Sequence, residues 1–264
     1  MKLEQKKVLI TGATGGIGMA VAQALASKGC QLLLTGRDHS KLDKLATSLS
    51  GSGHSTLVTD LNESEGLKLL HAAAEAFEID IMINSMGINQ LSLLSESSEN
   101  DIENIMTTNL TTPILVCKTM LPLLIEKSDT AIVNIGSILG SIGYAGSSVY
   151  CASKFGLRGF TESLRRELSD KSLRIIYFAP RATDTELNSD AMQQMNKALG
   201  NTTDTPEWVA GELVKVLEKK KSCHRYLGWP ESLFVRINAL LPHWVDQSLA
   251  KQLATIKRYA KASR

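Results

Sequence analysis

Residues 7–11, Lys-Val-Leu-Ile-Thr, run directly into Gly12-Ala-Thr14-Gly-Gly16-Ile17-Gly18, and that turn opens into an Ala- and Leu-rich stretch, 19–28, closed by Gly29. An apolar strand, a glycine turn and a helix in immediate succession leave few folds open to the chain. Gly12 suits a tight turn, while Gly16 and Gly18 let backbone and helix approach a bound group closely. The first N–H groups of the helix then face that group with no intrahelical partner and with the positive end of the helix dipole, a setting that favours a pyrophosphate. Glycine-rich strand-to-helix turns also occur without a ligand, so the turn gains its weight only together with the rest of the chain.

Beyond Gly29 the chain alternates strictly. Apolar runs at 31–35, 55–59, 79–84, 131–136 and 173–178 read as further strands, and helical segments are expected at 41–49, 63–76, 100–127 and from Thr205 on. Pro113 marks a kink or a fresh first turn within 100–127, with Asn109 just before it. Six strands alternating with helices predict a doubly wound, Rossmann-like α/β fold with a parallel sheet covered on both faces. Residues 1–228 are expected to form this single domain, with a polar, Met-containing excursion at about 183–205 as a lid or a surface loop, and 229–264 as a helical extension.

Tyr150 and Lys154 are four residues apart, on one face of a helix. A phenol titrates near ~10, too high for proton transfer at neutral pH, and a neighbouring ammonium is expected to lower it. Ser137 ends the strand at 131–136 and offers a hydroxyl to hold a substrate oxygen beside that phenol. Taken alone, such a Tyr/Lys pair is an ordinary surface pair. At the end of the second strand, Gly36 stands where an acidic side chain would hold a free ribose 2′-hydroxyl, and Arg37 comes next. A guanidinium pairs with a 2′-phosphate, so NADP(H) is preferred, with NAD(H) possible through Asp38. The alternative is that Arg37 and Asp38 cap the next helix. Asp60 offers an acceptor to an adenine amino group.

The net charge of +2 gives no argument for nucleic acid. Cys30, Cys117, Cys151 and Cys223 have neither zinc spacing nor a disulfide framework, so no metal is expected, and reduced thiols suit a cytoplasmic protein. The run at 7–11 is too short for a signal peptide, and no apolar stretch approaches the ~18 residues that cross a bilayer.

Together these residues resemble the short-chain dehydrogenase/reductase family over roughly 6–228. The turn 11–18 resembles its glycine motif, Asp60-Leu61 its adenine-binding position, Asn84-Ser85-Met86-Gly87 its Asn-Asn-Ala-Gly motif with two substitutions, and Pro180 to Thr185 its Pro-Gly-x-x-x-Thr motif. Asn109, Ser137, Tyr150 and Lys154 fall at the positions of the family tetrad. The resemblance implies Tyr150 as general acid or base and Lys154 as the residue that lowers its pKa and binds the nicotinamide ribose. It implies Ser137 as the group polarising the carbonyl, Asn109 as the support of a proton-relaying water, and Thr185 as a contact to the cofactor. Met86 and Arg181 depart from the family pattern. Arg181 replaces a glycine, and its charge is expected to meet cofactor phosphate or an acidic substrate group unless the backbone there requires positive φ.

Beyond Trp229, apolar residues recur at helical spacing, and Pro230 and Pro242 each suit a helix start, so two helices are expected. The first, with Phe234, Ile237 and Leu241, is placed near the lid. The second, from His243, carries Val245, Leu249, Leu253 and Ile256 on one face and is expected to extend outward to a partner subunit or, through its basic residues, a membrane surface; the alternative is that the extension packs on its own domain. The expected activity is hydride transfer between NADP(H) and a bulky hydrophobic carbonyl or alcohol, lipid-like or 3-oxoacyl, by a homo-oligomer. The alternative is a catalytically silent NADP(H)-binding sensor or scaffold.

Overall fold

The computed structural model describes residues 1–219 and 221–262; the last two residues of the expected 229–264 extension lie outside the described residues. In chain order the elements are β1 Lys7–Thr11, α1 Gly16–Ala26, β2 Gln31–Gly36, α2 His39–Ser48, β3 Ser55–Val58, α3 Ser64–Phe77, β4 Ile81–Asn84, α4 Glu99–Met106, α5 Thr112–Leu124, β5 Ala131–Ile135, α6 Ser148–Glu167, β6 Arg174–Ala179, α7 Asp190–Ala198, α8 Pro206–Glu218, β7 Cys223–Tyr226, α9 Glu231–Leu240, α10 Pro242–Ala250 and α11 Leu253–Ala262. The strands form one parallel sheet in the order β3-β2-β1-β4-β5-β6-β7. The doubly wound fold is as the alternation predicts. β7 is an addition at the edge beyond β6, and its Cys-His-Arg-Tyr sequence lacks the apolar run that marks the other strands.

Side-chain alternation divides the core into two layers, which is why the strands read as unbroken apolar runs. Val8, Ile10, Leu32, Leu34, Ile81 and Ile83 face Val21 and Leu25 of α1 and Val209 and Leu213 of α8. Leu9, Leu33, Met82, Ile132 and Ile175 face Leu70 of α3, Val116 and Met120 of α5 and Leu164 of α6. The strand order reverses between β1 and β4, where their C-terminal ends diverge to opposite faces. That crevice is where an open α/β sheet holds a ligand.

The expected helix at 100–127 is interrupted. A π-helical turn, Thr107–Thr111, separates α4 from α5, and Pro113 falls in the first turn of α5. The wider turn places Asn109 inside the fold, fully buried.

The extension differs from the expected pair. It forms three helices, because the chain turns at Lys251–Gln252 and separates α10 from α11. α11 does not extend outward. It returns to pack Ile256 and Ala260 against Met192 and Met195 of α7 and against Leu91. Val235 of α9 and Val245 of α10 pack against Ile138 and Ile142, next to Ser137. Burying Ile256 between the Met side chains removes apolar surface from water on both partners, which an outward helix would leave exposed.

Candidate active site

At the crevice, Gly12 turns the chain out of β1 with φ +63°, a left-handed conformation that disfavours a side chain. Its amide neighbours are settled by Ala13 N–H donating to the Thr35 carbonyl (3.0 Å) and Gly15 N–H to the Gly12 carbonyl (3.1 Å). Helix α1 starts with Gly15 as N-cap and has no side-chain cap, so its first N–H groups are left for a ligand. Gly16, Ile17 and Gly18 line the cleft above them. A Cβ on Gly16 would collide with the side chain of Thr185, and one on Gly18 with the Gly12 carbonyl. An uncapped helix N-terminus under a surface that only glycine permits fits a dinucleotide pyrophosphate, with Thr185 over it from the opposite side.

The remaining expected cofactor residues are placed unevenly. Gly87, Pro180 and Thr185 line the cleft with Gly16, Ile17 and Gly18. Arg37 is exposed at the sheet edge, its guanidinium 3.9 Å from Asp60. Asp38 caps α2, its carboxylate accepting the Lys41 N–H at 3.0 Å. Asp60 holds the chain locally by accepting from Asn62 N–H (2.9 Å). Thr14 sits by Gly36, where a Cβ would be 3.4 Å from its hydroxyl. Leu61 is buried in the α3/α5 layer, so its side chain is committed to the core. Asn84 lies behind the cleft rather than on it. Its amide donates to Asn134 Oδ1 (2.8 Å) and the Pro113 carbonyl (3.3 Å), and its oxygen accepts from Thr11 (3.3 Å). That buried network ties β1, β4 and β5 together directly below the switch point.

Tyr150 and Lys154 both stand in the first turns of α6, buried at 6% and 3% exposure, with Ser137 at the end of β5 beside them. Ser137 is extended, and its hydroxyl accepts the Leu139 N–H at 3.1 Å. In the protein alone, burial sets the direction in which both groups shift. Burial pushes the phenol up to about 12, and the Ser137 side chain offsets only part of this. The same burial pushes Lys154 down to about 8. Its ammonium lies 5.8 Å from the Tyr150 ring centroid and donates to the Ile135 carbonyl (3.1 Å). Desolvation penalises each charged form and is the leading cause of both shifts.

Asn109 meets this pair through Ile88. It accepts the Ile88 N–H (2.8 Å) and donates to the Ile88 carbonyl (2.9 Å) and to Ser153 Oγ (3.2 Å). Its amide therefore fixes the 87–88 segment against Lys154; a Cβ on Gly87 would be 3.6 Å from the Lys154 nitrogen.

Arg181 resolves differently from either expected role. It is absent from the positive-φ residues, so its backbone does not require glycine. Its guanidinium is spent within the protein. It forks onto Asp204 (2.9 and 2.7 Å), bonds Glu231 (2.9 Å) and reaches the Trp229 carbonyl (3.3 Å). One side chain thus joins the start of the 183–205 excursion to its end and to the first turn of α9.

The cleft encloses about 700 Å³. Past Ser137 and Tyr150 its wall is mostly apolar, with Leu139, Ile142, Met192, Phe234, Trp244 and Val245 from four separate segments beside the polar side chains of Asn196, Asn201 and Gln252. The helical spacing of Tyr150 and Lys154 points one further turn on to Arg158, which sequence reasoning passed over. Its guanidinium donates to Ser141 Oγ at 2.8 Å and steadies the turn after Ser137. Asn238 of α9 donates to the Ser141 carbonyl at 2.9 Å, a contact no spacing rule signals.

Known proteins agree with this geometry. The short chain dehydrogenase family model matches residues 6–196. The 3-oxoacyl-acyl-carrier-protein reductase of Vibrio cholerae is 33% identical over 188 residues, 71% of this chain and 77% of that protein. Carbonyl reductase family member 4 of Danio rerio is 32% identical over 194 residues, 70% of this chain and 79% of that protein. Among solved structures, a dehydrogenase/reductase from Sinorhizobium meliloti superposes with a TM-score of 0.73 at 24% identity, covering 85% of this chain and 96% of that one. Aldohexose dehydrogenase of Thermoplasma acidophilum also gives 0.73, at 20% identity, over 88% and 95%. These two carry the fold alone. A family match running from β1 into α7, across the switch point and the Ser137–Tyr150–Lys154 cluster, makes this chain a member of the short-chain dehydrogenase family, an NAD(P)-dependent oxidoreductase.

Proposed function

We propose that the protein reduces a bulky, hydrophobic carbonyl compound, lipid-like or 3-oxoacyl, with NADPH. The observation that carries this reading is the cleft's far half, where apolar side chains of α7, α9 and α10 surround the approach to Ser137 and Tyr150. A relative whose name specifies a 3-oxoacyl substrate supports the same class. Bound NADP(H) supplies or accepts the hydride. Ser137 donates a hydrogen bond to the carbonyl oxygen, and Tyr150 delivers the proton to it. Keeping the phenol protonated by burial suits the reducing direction, because the acid form is present at every physiological pH. Lys154 binds the nicotinamide ribose, and its charge beside Tyr150 steadies the phenolate left after transfer. Asn109 holds 87–88 in place for both.

NADP(H) is preferred through Arg37, which is exposed and only loosely held by Asp60, so it is free to meet a 2′-phosphate. Residues 183–205 act as a lid, and α9 and α10 of the extension as the substrate wall. Leu115 of α5 and Phe155 of α6 are exposed, which supports a homo-oligomer. Trp229, Leu240 and Trp244 are exposed on the extension at 72%, 80% and 66%, which supports peripheral contact of a cytoplasmic protein with membrane. No helix among the described residues is long and apolar enough to cross one.

The test is NADPH oxidation by purified protein against a ketone series of rising chain length, with Tyr150→Phe alongside. Efficiency should rise with chain length, and Tyr150→Phe should lose turnover and keep NADPH binding. NADPH binding with no turnover across the series would favour the sensor reading instead, and near-normal kcat in Tyr150→Phe would refute the assignment of the acid.

A further inference from the structure

Ser137 has an unusual problem of backbone hydrogen bonding. At the end of β5, Gly136 N–H donates to the Phe178 carbonyl (2.7 Å) and Ile138 N–H to the Pro180 carbonyl (3.0 Å), so the residues on either side of Ser137 pair with the β6 chain. Ser137 itself is extended, with φ −160° and ψ 158°, and turns its own N–H and C=O together to the other side. No strand meets them there: β4 pairs with β5 only as far as Asn84 opposite Asn134. Both groups lie in the interior; the carbonyl accepts the Gly140 N–H at 2.9 Å within its own turn, while the N–H still needs a partner.

One further atom reaches both groups, as the partner of the N–H and a second donor to the carbonyl. The phenol oxygen of Tyr177 accepts the Ser137 N–H at 3.3 Å and donates its proton to the Ser137 carbonyl at 3.1 Å. Tyr177 is on β6 and fully buried. Its neighbours Ile176 and Phe178 face the α1/α8 layer, so strand alternation sends the Tyr177 ring toward α6. The ring fits because the chain removes side chains from its path. A Cβ on Gly136 would collide with the ring, and one on Gly140 with its hydroxyl. Behind it stand the rings of His224 and Tyr226, at 5.5 and 6.2 Å between centroids. Tyr226 takes the Ser141 hydroxyl at 3.2 Å, so two phenols from adjacent strands hold the two ends of the 137–141 turn.

We propose that Tyr177 is the positioning residue of Ser137: its phenol clamps the serine backbone and so aims the Ser137 hydroxyl at the substrate oxygen beside Tyr150. The inference rests on the reading of Ser137 as the carbonyl-polarising group. Tyr177 touches neither substrate nor cofactor, since it is sealed below the cleft floor and acts only through Ser137.

Tyr177→Phe keeps the ring and removes the clamp. A misplacement of the serine hydroxyl by about 1 Å should lower kcat by roughly tenfold to a hundredfold. NADPH affinity, measured by fluorescence titration, should stay as in the wild type. The alkaline limb of the pH–kcat profile should move up, because Ser137 no longer helps to hold the Tyr150 phenol down. In a Ser137→Ala background the Phe substitution should cost nothing further, since the group it aims is gone. Tyr177→4-aminophenylalanine, which still donates to the Ser137 carbonyl, should recover most of kcat. It provides a folded comparison should Tyr177→Phe be insoluble. Wild-type kcat in Tyr177→Phe, a full extra loss in the Ser137→Ala background, or failure of the amine to rescue would overturn the inference. Full kcat in Ser137→Ala would instead overturn the reading of Ser137 itself. An inactive Ser137→Ala beside an unaffected Tyr177→Phe would sink the clamp alone.

Discussion

Arg181→Ala should loosen residues 183–205 and the C-terminal helices together while leaving the sheet intact. Arg181 makes three charge-assisted bonds at 2.7–2.9 Å, two to Asp204 and one to Glu231. Its side chain is 13% exposed, that of Asp204 9% and that of Glu231 25%. Removing one partner of a fully buried pair costs about 3–5 kcal/mol, mostly from the carboxylate left behind. Asp204 approaches that limit, and Glu231 rehydrates more easily, so about 2–4 kcal/mol is expected. The loss falls on local opening, because Arg181 joins peripheral segments to the end of β6 and does not itself pack in the sheet core. At about 1.4 kcal/mol per tenfold, amide protection in α7 and α9 should drop by roughly 30-fold to several hundredfold. Native-state hydrogen exchange read by mass spectrometry follows those segments, with β1 and β4 as internal reference. The KM for long-chain ketones should rise more than that for NADPH if, as proposed, the part of the cleft lined by α7 and α9 holds the substrate. Arg181→Lys should recover only part of the effect, since an ammonium cannot reproduce the fork onto Asp204. Protection in α7 and α9 within about threefold of wild type, or an equal loss in β1 and β4, would refute the clamp.

Other outcomes rest on the same structure. Arg37→Ala should weaken NADPH by about tenfold and leave NADH nearly unchanged, since the guanidinium has only a loose contact at 3.9 Å to give up; equal losses for both would remove Arg37 from cofactor choice. Burial holds Lys154 at about 8 against an ordinary 10.5. Between those values the unfolded chain binds a proton that the folded one does not, so stability should rise with pH across that window, by up to about 3 kcal/mol. Denaturant unfolding from pH 7.5 to 10, read as wild type minus Lys154→Met so that the buried thiols cancel, checks this; identical profiles would count against it. Truncation after Gly228 uncovers Ile138, Ile142, Met192 and Met195. It should harm turnover of long-chain ketones more than short ones and change oligomer size or liposome binding. A soluble truncated protein with an unchanged chain-length profile, oligomer size and liposome affinity would mean the extension is not the substrate wall.

The parallel sheet, the glycine turn and the Tyr150–Lys154 pair were legible because each rests on short-range order. Apolar runs, the spacing of a helix turn and the chemistry of glycine all act within a few residues of chain. β7 escaped because an edge strand need not be apolar on either side, and Cys223 to Tyr226 carries no run to notice. The apolar spacing of the extension continues through Lys251–Gln252 and so predicts two helices where the fold has three. Only the buried surface offered by Met192 and Met195 turns α11 back onto α7. Arg181 finds Asp204 and Glu231, 23 and 50 residues away, and Tyr177 finds Ser137 from the next strand. Many carboxylates and backbone groups could have taken those places, and nothing local chooses among them. The sign of the Tyr150 shift has the same origin. Helical spacing places an ammonium one turn away, but the depth at which the fold buries both groups decides that desolvation, and not attraction, sets the proton affinity of each.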